Sequence, residues 1–158
     1  MDQLLRGMNL STEEILIRLG VAVICGLLLG LDREIRGIAA GLRTHALVSV
    51  SSAVITISAL DLYQGVRAQG GESDPLRVIQ GLAQAIGFIA AGAIFVAGGT
   101  VRNLTTAANV WLATAVGIGA GAGQFVLVAI ATGFGIVIVT FVRVLEHFLS
   151  QRPQKPDE

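Results

Sequence analysis

Two acidic residues alternate with arginines directly after the first apolar run of the chain. Asp32 and Glu34 are interleaved with Arg33 and Arg36. Carboxylate oxygens are ligands that Mg²⁺ prefers, but guanidinium groups this close oppose a dication. The pattern therefore favours ion pairing, Asp32 with Arg33 or Arg36, or docking of a charged partner over a metal site.

Three further polar groups have spacings that could position a partner or a ligand. Asp74 and Arg77 open the third apolar run, where Asp74 could cap a helix or form a charged latch with Arg77. His45 could be an ordinary interfacial residue or a switch that titrates near neutral pH. The other candidate functional residues lie around the starts of the second and fourth apolar runs. They are Gly41, Leu42, Arg43, Thr44, Thr105, Thr106, Asn109 and Trp111.

Patterns typical of enzymes are absent from this sequence. It contains no Gly-x-Ser-x-Gly, no His-Glu-x-x-His and no Gly-x-x-x-x-Gly-Lys. His45 and His147 lie at ends of different predicted helices, so their spacing does not make a metal-ligand pair. The single cysteine, Cys25, lies in an apolar run and is expected to be a small buried residue. We predict no enzymatic activity, no cofactor and no bound metal.

The composition indicates that these residues are carried by membrane-spanning helices. Hydrophobic residues make up 53% of the 158 positions and charged residues only 14%, with a mean hydropathy of +0.74. A soluble domain has about 25% charged residues. Eleven basic and eleven acidic residues balance, which gives no general attraction to nucleic acid.

Five apolar runs predict an all-α, polytopic membrane bundle with five transmembrane helices. We assign residues 1–150 to this domain and residues 151–158 to a short cytoplasmic tail. The first run is expected to be retained, because no positive segment precedes it and no Ala-x-Ala pattern follows it. The predicted spans are Ile15–Leu31, Ala46–Leu62, Leu76–Ala97, Thr106–Ala122 and Phe125–Val144.

The distribution of basic residues predicts the orientation of the bundle. The N-terminal side carries Arg6, Arg18, Arg67 and Arg77, and the other side carries Arg33, Arg36, Arg43, Arg102, Arg143, Arg152 and Lys155. The positive-inside rule therefore places the N-terminus outside and the C-terminus in the cytoplasm.

Local signals predict where helices begin and end. Ser11 or Thr12 with Glu14 predicts a capping box, and Asp74-Pro75 predicts the start of the third helix. Gly98-Gly99 is expected to close the third helix, and Thr105 or Thr106 to cap the fourth. Glycine-rich sequence around 121–124 predicts a tight hairpin between the last two helices. Arg18 is expected to pair with Glu14, one turn earlier.

Three predicted helices each carry one stripe of polar or small residues. Such stripes can hold a bundle together, or they can line a polar seam that binds or passes an ion or small ligand. Three Gly-x-x-x-Gly motifs, at 26–30, 117–121 and 119–123, could pack helices within the monomer or between copies. We favour a homo-oligomer, specifically a dimer. The stripes comprise Ser49, Ser52, Thr56 and Ala59; Asp74, Arg77, Gln80, Gln84, Gly87 and Ala91; and Thr106, Asn109, Ala113, Gly117 and Gly121.

Taken in order, the polar clusters resemble the MgtC/SapB family of bacterial membrane proteins. The family pattern has Gly-x-Glu-Arg, then Ala-Gly-Leu-Arg-Thr-His-x-Leu-Val, then Asp-x-x-Arg before Gly-x-Gly-Phe-(Leu/Ile)-x-Ala-Gly, and finally Gly-Leu-Thr-Thr-Ala-Ala-x-x-Trp. The likeness spans roughly residues 20–123 and is carried by Gly30, Asp32, Arg33, Glu34, Gly41, Leu42, Arg43, Thr44, His45, Asp74, Arg77, Gly87, Gly92, Thr105, Thr106, Asn109 and Trp111.

Three positions depart from this pattern. Asp32 stands where the family usually has Glu, Asn103 replaces the Gly before Leu-Thr-Thr, and Ala85 replaces the first Gly of Gly-x-Gly-Phe. The best-known members also add a cytoplasmic soluble domain after the fifth span, whereas about 14 residues follow it here.

The resemblance implies a bacterial inner-membrane protein linked to growth at low magnesium and, in pathogens, to survival in macrophages and hence virulence. It also implies a membrane partner such as a transporter or the F-type ATP synthase. We therefore expect a non-enzymatic modulator that is embedded in the lipid bilayer of the bacterial inner membrane. The alternative is a small oligomeric magnesium channel or carrier. Arg43 is expected to pair with Asp32 or Glu34 and to fix a cytoplasmic docking surface.

Overall fold

The structure is a computed structural model that describes residues 10–142, with side chains as far as residue 141. The predicted tail 151–158, His147 and the end of the fifth span lie outside the described residues, and the domain boundary at residue 150 stays a prediction. The elements are α1 (Thr12–Ile35), α2 (Leu42–Ala68), α3 (Leu76–Ala93), β1 (Phe95–Ala97), β2 (Thr100–Arg102), α4 (Leu104–Gly121) and α5 (Phe125–Val137), which continues into a π-helical turn, Ile138–Val142.

The predicted all-α bundle is confirmed. Helices α1 to α4 are long and apolar enough to cross a membrane, and the apolar helix Phe125–Phe141 is shorter. The chain is therefore a membrane-embedded helical protein.

The predicted capping box at the start of α1 is confirmed. The Ser11 hydroxyl accepts the Glu14 backbone N–H at 3.2 Å, and the Glu14 carboxylate accepts the Ser11 backbone N–H at 3.1 Å. At α3 the N-cap is Pro75 and the helix begins at Leu76, one residue later than Asp74-Pro75 predicted. The Asp74 carboxylate still accepts the Leu76 N–H at 2.9 Å, which satisfies a donor of the first turn. Both signals are local, so they can be read without tertiary information.

The predicted end of the third helix is wrong, because a β-hairpin replaces its last turn. Helix α3 ends at Ala93, and β1 pairs antiparallel with β2. Gly98 and Gly99 form the turn, with φ of 60° and 76°. A two-residue hairpin turn of this kind requires positive φ at both positions, and its twist matches that of the flanking strands.

Asn103, and neither Thr105 nor Thr106, stands at the N-cap of α4, so that prediction is also wrong. Asn103 has a φ of 66°, and its amide donates to the Ala93 carbonyl at 3.1 Å. Asparagine is one of the few residues besides glycine that adopts this left-handed conformation. This conformation explains how Asn103 can replace the glycine of the family pattern.

Helix α4 is the central element of the bundle. It contacts α1, α2, α3 and α5. In its 18-residue apolar segment 61% of the residues are buried, whereas the corresponding value for α3 is 11%. The core is built from small and branched side chains, and Cys25 lies in it as predicted. Its buried members are Ala22, Cys25, Leu29, Ala53, Ala113, Val116, Ala120 and Val128.

Glycines bring the backbones of α1, α2 and α4 into direct contact. A Cβ on Gly26 would lie 2.8 Å from the Ala46 Cα, and a Cβ on Gly121 would lie 2.6 Å from the Ala53 carbonyl oxygen. A Cβ on Gly117 would overlap the backbone of Ser49. These motif glycines therefore pack helices within the monomer, the first of the two alternatives.

The predicted tight hairpin between α4 and α5 is confirmed, but the predicted partner of Arg18 is wrong. Gly123 has a φ of 76°, and its N–H and that of Gln124 donate to the Ala120 and Gly119 carbonyls at 3.0 and 2.9 Å, a Schellman arrangement. Arg18 donates to the Gly121 carbonyl at 2.7 Å. A cation is favoured at a helix C-terminus, where carbonyls lack helical partners.

Candidate functional site

Two of the three polar clusters meet at one end of the bundle. Helix α1 ends there, and α2 and α4 begin there. We call it the loop end, because it carries the loop of residues 36–41. Asp74 and Arg77 lie at the start of α3, at the opposite end, and both are exposed. The motif residues therefore form two separate regions.

Arg33 is buried at the loop end and reaches α4. Its side chain is 5% exposed, and its guanidinium donates to the Thr106 hydroxyl. Asp32 instead forms the i,i+4 ion pair with Arg36. Of the two predicted partners of Asp32, Arg36 is thus confirmed. Arg33 links α1 to α4 across 73 positions of sequence.

Asn109 and His45 form a second buried link, between α4 and α2. The Asn109 amide donates to the Leu29 carbonyl at 2.9 Å and lies 3.0 Å from His45 Nε2. His45 Nδ1 lies 2.9 Å from the Gly41 carbonyl, which can only accept a hydrogen bond. The network therefore assigns the proton of a neutral imidazole to Nδ1 and leaves Nε2 to accept from Asn109.

The prediction that His45 is an interfacial residue is wrong, because its side chain is fully buried. Gly26 and Gly30 of α1 have no side chain, so the backbone around the start of α2, including that of His45, lies directly against α1. The proposal that His45 acts as a pH switch stays a prediction.

Glu34 and Arg43 do not pair, so the predicted ion pair is wrong. Glu34 accepts the Leu42 backbone N–H at 3.1 Å and lies against Gly41. The carboxylate thus meets the positive end of the α2 dipole, where a guanidinium is disfavoured. Arg43 extends from that end with an exposed side chain, and within the described residues no ion pair joins it to Asp32 or Glu34.

The stripes of α2 and α4 face the interior, as both interpretations of the stripes require. Ser49, Ser52 and Thr56 are buried on α2, and Thr106, Asn109 and Gly117 are buried on α4. The Ser52 and Thr56 hydroxyls donate to carbonyls of their own helix, both at 2.8 Å. Trp111 points away from this stripe and is 43% exposed, as predicted.

The α3 stripe does not face the interior. Asp74, Arg77, Gln80, Gln84 and Ala91 are exposed, whereas Ile86 and Ala90, on the opposite side of the helix, are buried. The expectation that this stripe bonds across helices of the same bundle or lines its seam is therefore wrong.

Hydrogen bonding and positioning are the chemistry available at the loop end. In the part of the chain that the structure describes, no group of three His, Cys, Asp or Glu residues could hold a metal. Sequence reasoning did not predict the contact between Asn109 and His45. Its only signal is that Thr106 and Asn109, three residues apart, share the buried face of α4.

Comparison with known proteins finds similar proteins in several bacteria. The Brucella abortus (strain 2308) protein named MgtC is 40% identical over 96 residues, which cover 61% of this chain and 37% of that protein. The Escherichia coli (strain K12) protein named "Putative magnesium transporter YhiD" is 37% identical over 107 residues, 67% of this chain and 50% of that protein. Protein SapB of Bacillus subtilis (strain 168) is 34% identical over 106 residues, 66% of this chain and 46% of that protein.

The chain thus spans half or less of the length of these relatives. No solved structure matches it. The family model described as MgtC family matches residues 19–148, which include every polar cluster described above. This chain therefore belongs to the MgtC family.

Proposed function

We propose that this membrane protein is a non-enzymatic modulator of the bacterial inner membrane that acts in adaptation to low magnesium. The observation that carries the proposal is the buried network at the loop end. Arg33, Thr106, Asn109 and His45 bond to one another or to backbone carbonyls across three helices. These residues hold a rigid scaffold, and a buried guanidinium among them opposes passage of Mg²⁺.

The scaffold presents charged side chains outward at the loop end. Glu34, Arg43 and Arg102 are exposed there, around the Asp32–Arg36 ion pair. Exposed charges on a rigid base are suited to docking a partner, because they set its orientation and rate of encounter. The family resemblance suggests another inner-membrane protein, such as a transporter or the ATP synthase, as that partner.

The alternative is a small oligomeric magnesium channel or carrier. The name of the Escherichia coli relative favours it. A path within one copy would have to pass between α1, α2 and α4, whose backbones are in contact at Gly26, Gly117 and Gly121. A path between copies would instead have to be lined by outward-facing residues.

Flux and growth measurements distinguish the two functions. We expect liposomes containing the purified chain to take up Mg²⁺ no faster than empty liposomes, with a known magnesium channel as positive control. In cells at low magnesium, Arg43→Ala should abolish the growth effect of the chain without lowering its abundance in the membrane. Uptake that rises with protein content would establish the alternative, and wild-type growth of the Arg43→Ala strain would remove Arg43 from the docking surface.

The proposed orientation has a separate test in intact cells. In a Cys25→Ala background, a cysteine at Ala68 should react with an impermeant thiol reagent added outside, and a cysteine at Arg36 should react only after permeabilisation. Both positions lie at helix ends, on opposite sides of the bundle. The reverse labelling would place the loop end outside and exclude a cytoplasmic partner there.

A further inference from the structure

Helix α3 directs polar side chains away from the bundle over much of its length. Gln80 and Gln84 are exposed, and both lie within a helix long and apolar enough to cross a membrane. The helix packs on α4 through its opposite side, where Ile86 and Ala90 are buried. Its polar face therefore has no neighbour within the described part of one copy.

Hydrocarbon makes such a face costly. Moving a side-chain amide from water into the hydrocarbon of the membrane without a hydrogen-bond partner costs several kcal/mol of free energy. Gln80 and Gln84 lie about 6 and 12 Å along the axis from the start of α3 at 1.5 Å per residue. Gln84 in particular is too far from the helix start to reach the membrane surface easily. A second polar surface is needed to satisfy these amides.

Small residues on the same side leave room for another helix. Apart from the nearby backbone of α3 itself, no atom of the described residues lies within 4 Å of a Cβ added to Gly81, Gly87 or Gly92. At Gly117 and Gly121 of α4, by contrast, the backbone of α2 occupies the space that a side chain would need. Glycine and alanine allow close approach of membrane helices, and Gly87 and Ala91 follow the glutamines on the same side of α3 as a small-x-x-x-small pair. Packing among the described residues of one copy does not use these α3 glycines.

We propose that this face, the α3 face (Asp74, Arg77, Gln80, Gln84, Gly87 and Ala91), is the surface on which a second copy of the chain pairs through its own α3. Two copies in one membrane have the same orientation, so a two-fold axis along the membrane normal brings equal residues to equal depth. An amide is both donor and acceptor, so Gln80 and Gln84 can each bond to their own counterparts.

The charges at the end of this face are also self-complementary. Asp74 and Arg77 are one turn apart and exposed, so the carboxylate of each copy lies one turn in depth from the guanidinium of the other and can reach it diagonally across the axis. A different protein would need its own polar side chains at the same membrane depths as those of the α3 face. A second copy has such side chains at these depths by symmetry. This pairing does not depend on the proposed function.

Disulfide cross-linking in native membranes tests the pairing directly. The full chain with Cys25→Ala and Gln84→Cys should form a covalent homodimer on mild oxidation, since a disulfide requires Cα atoms within about 7 Å. Cys25→Ala with Phe134→Cys is the control. Phe134 is 65% exposed, and it lies at a similar number of residues from the start of α5 as Gln84 does from the start of α3. Absence of the Gln84→Cys dimer, equal dimer from both variants, or cross-linking to another protein would overturn the proposal.

A second measurement uses variants that suit lipid and therefore keep the fold. Combining Gln80→Leu with Gln84→Leu should raise the dimer dissociation constant in detergent at least tenfold while the thermal unfolding midpoint of the monomer is retained. Ser58→Leu, at an exposed polar position of α2, should leave dimerisation unchanged. A wild-type chain that is monomeric in lipid, or a double variant that dimerises as tightly as wild type, would contradict the inference.

Discussion

Gly117→Ala is expected to destabilise the bundle although alanine favours helices. The added Cβ would overlap the Ser49 backbone, and backbone atoms of a packed helix cannot move aside like the end of a flexible side chain. Overpacking typically costs about 1–3 kcal/mol, which exceeds the gain of about 1 kcal/mol from replacing glycine in a helix. The thermal unfolding midpoint in mild detergent should fall.

Gly133→Ala is the matched control for this prediction. Gly133 lies within α5, and in the part of the chain that the structure describes no atom besides the nearby backbone of α5 lies within 4 Å of its added Cβ. It receives the same gain in helix propensity without the clash, so its midpoint should equal or exceed that of the wild type. A Gly117→Ala protein as stable as Gly133→Ala would show that α2 and α4 do not approach as closely as the structure has them. A larger residue, Gly117→Leu, should prevent folding rather than release monomers.

Asn109→Leu should produce the second large loss of stability. The substitution preserves much of the volume but removes the donor that serves the Leu29 carbonyl and His45 Nε2. A buried polar group left without its partner costs about 1–3 kcal/mol. Thr114→Val is the control on the same helix, because its hydroxyl donates to the Val110 carbonyl of α4 and links no other helix. We expect a much smaller loss for it.

A double-mutant cycle isolates the contact between the two side chains. Replacing both His45 and Asn109 by apolar residues removes both halves of the pair, so the double variant should lose less than the sum of the single losses. Coupled neighbours typically differ from additivity by about 0.5–3 kcal/mol. Unfolding free energies that add within error would mean that Asn109 and His45 do not depend on each other.

Local sequence determined the number and approximate limits of the helices. Apolar runs of membrane-spanning length, the Ser11–Glu14 capping box and the glycine-rich turn before Phe125 each act within a few residues, so the pattern alone predicts them. The hairpin of β1 and β2 was also readable in principle. Gly98-Gly99 flanked by apolar and β-branched residues is a strong short-range hairpin signal, but the apolar content of Phe95–Ala97 favoured a continued helix.

The sequence identified the residues of the candidate site, but it did not predict which of them are buried or which residues they bond to. Arg33 lies between Asp32 and Glu34 in sequence, and Arg43 was expected to pair with one of these acidic residues. Only Arg33 is buried and bonded to another helix. His45 was interpreted as an ordinary interfacial residue or a switch, and its side chain is fully buried at the loop end. In each case the partner is remote: Thr106 is 73 residues from Arg33, and Asn109 is 64 residues from His45.

The sequence by itself determined that this chain is a five-helix membrane protein of a recognisable family, because hydrophobic length and local capping act along the chain. Tertiary structure alone decided which face of each helix is buried. Periodicity reveals that α3 and α4 each carry a polar stripe, but one stripe points outward and the other inward. The physical reason is that lipid gives apolar faces no drive to pack together, so the burial of a face follows from close backbone contacts, such as those at Gly26 and Gly117, and not from its hydrophobicity.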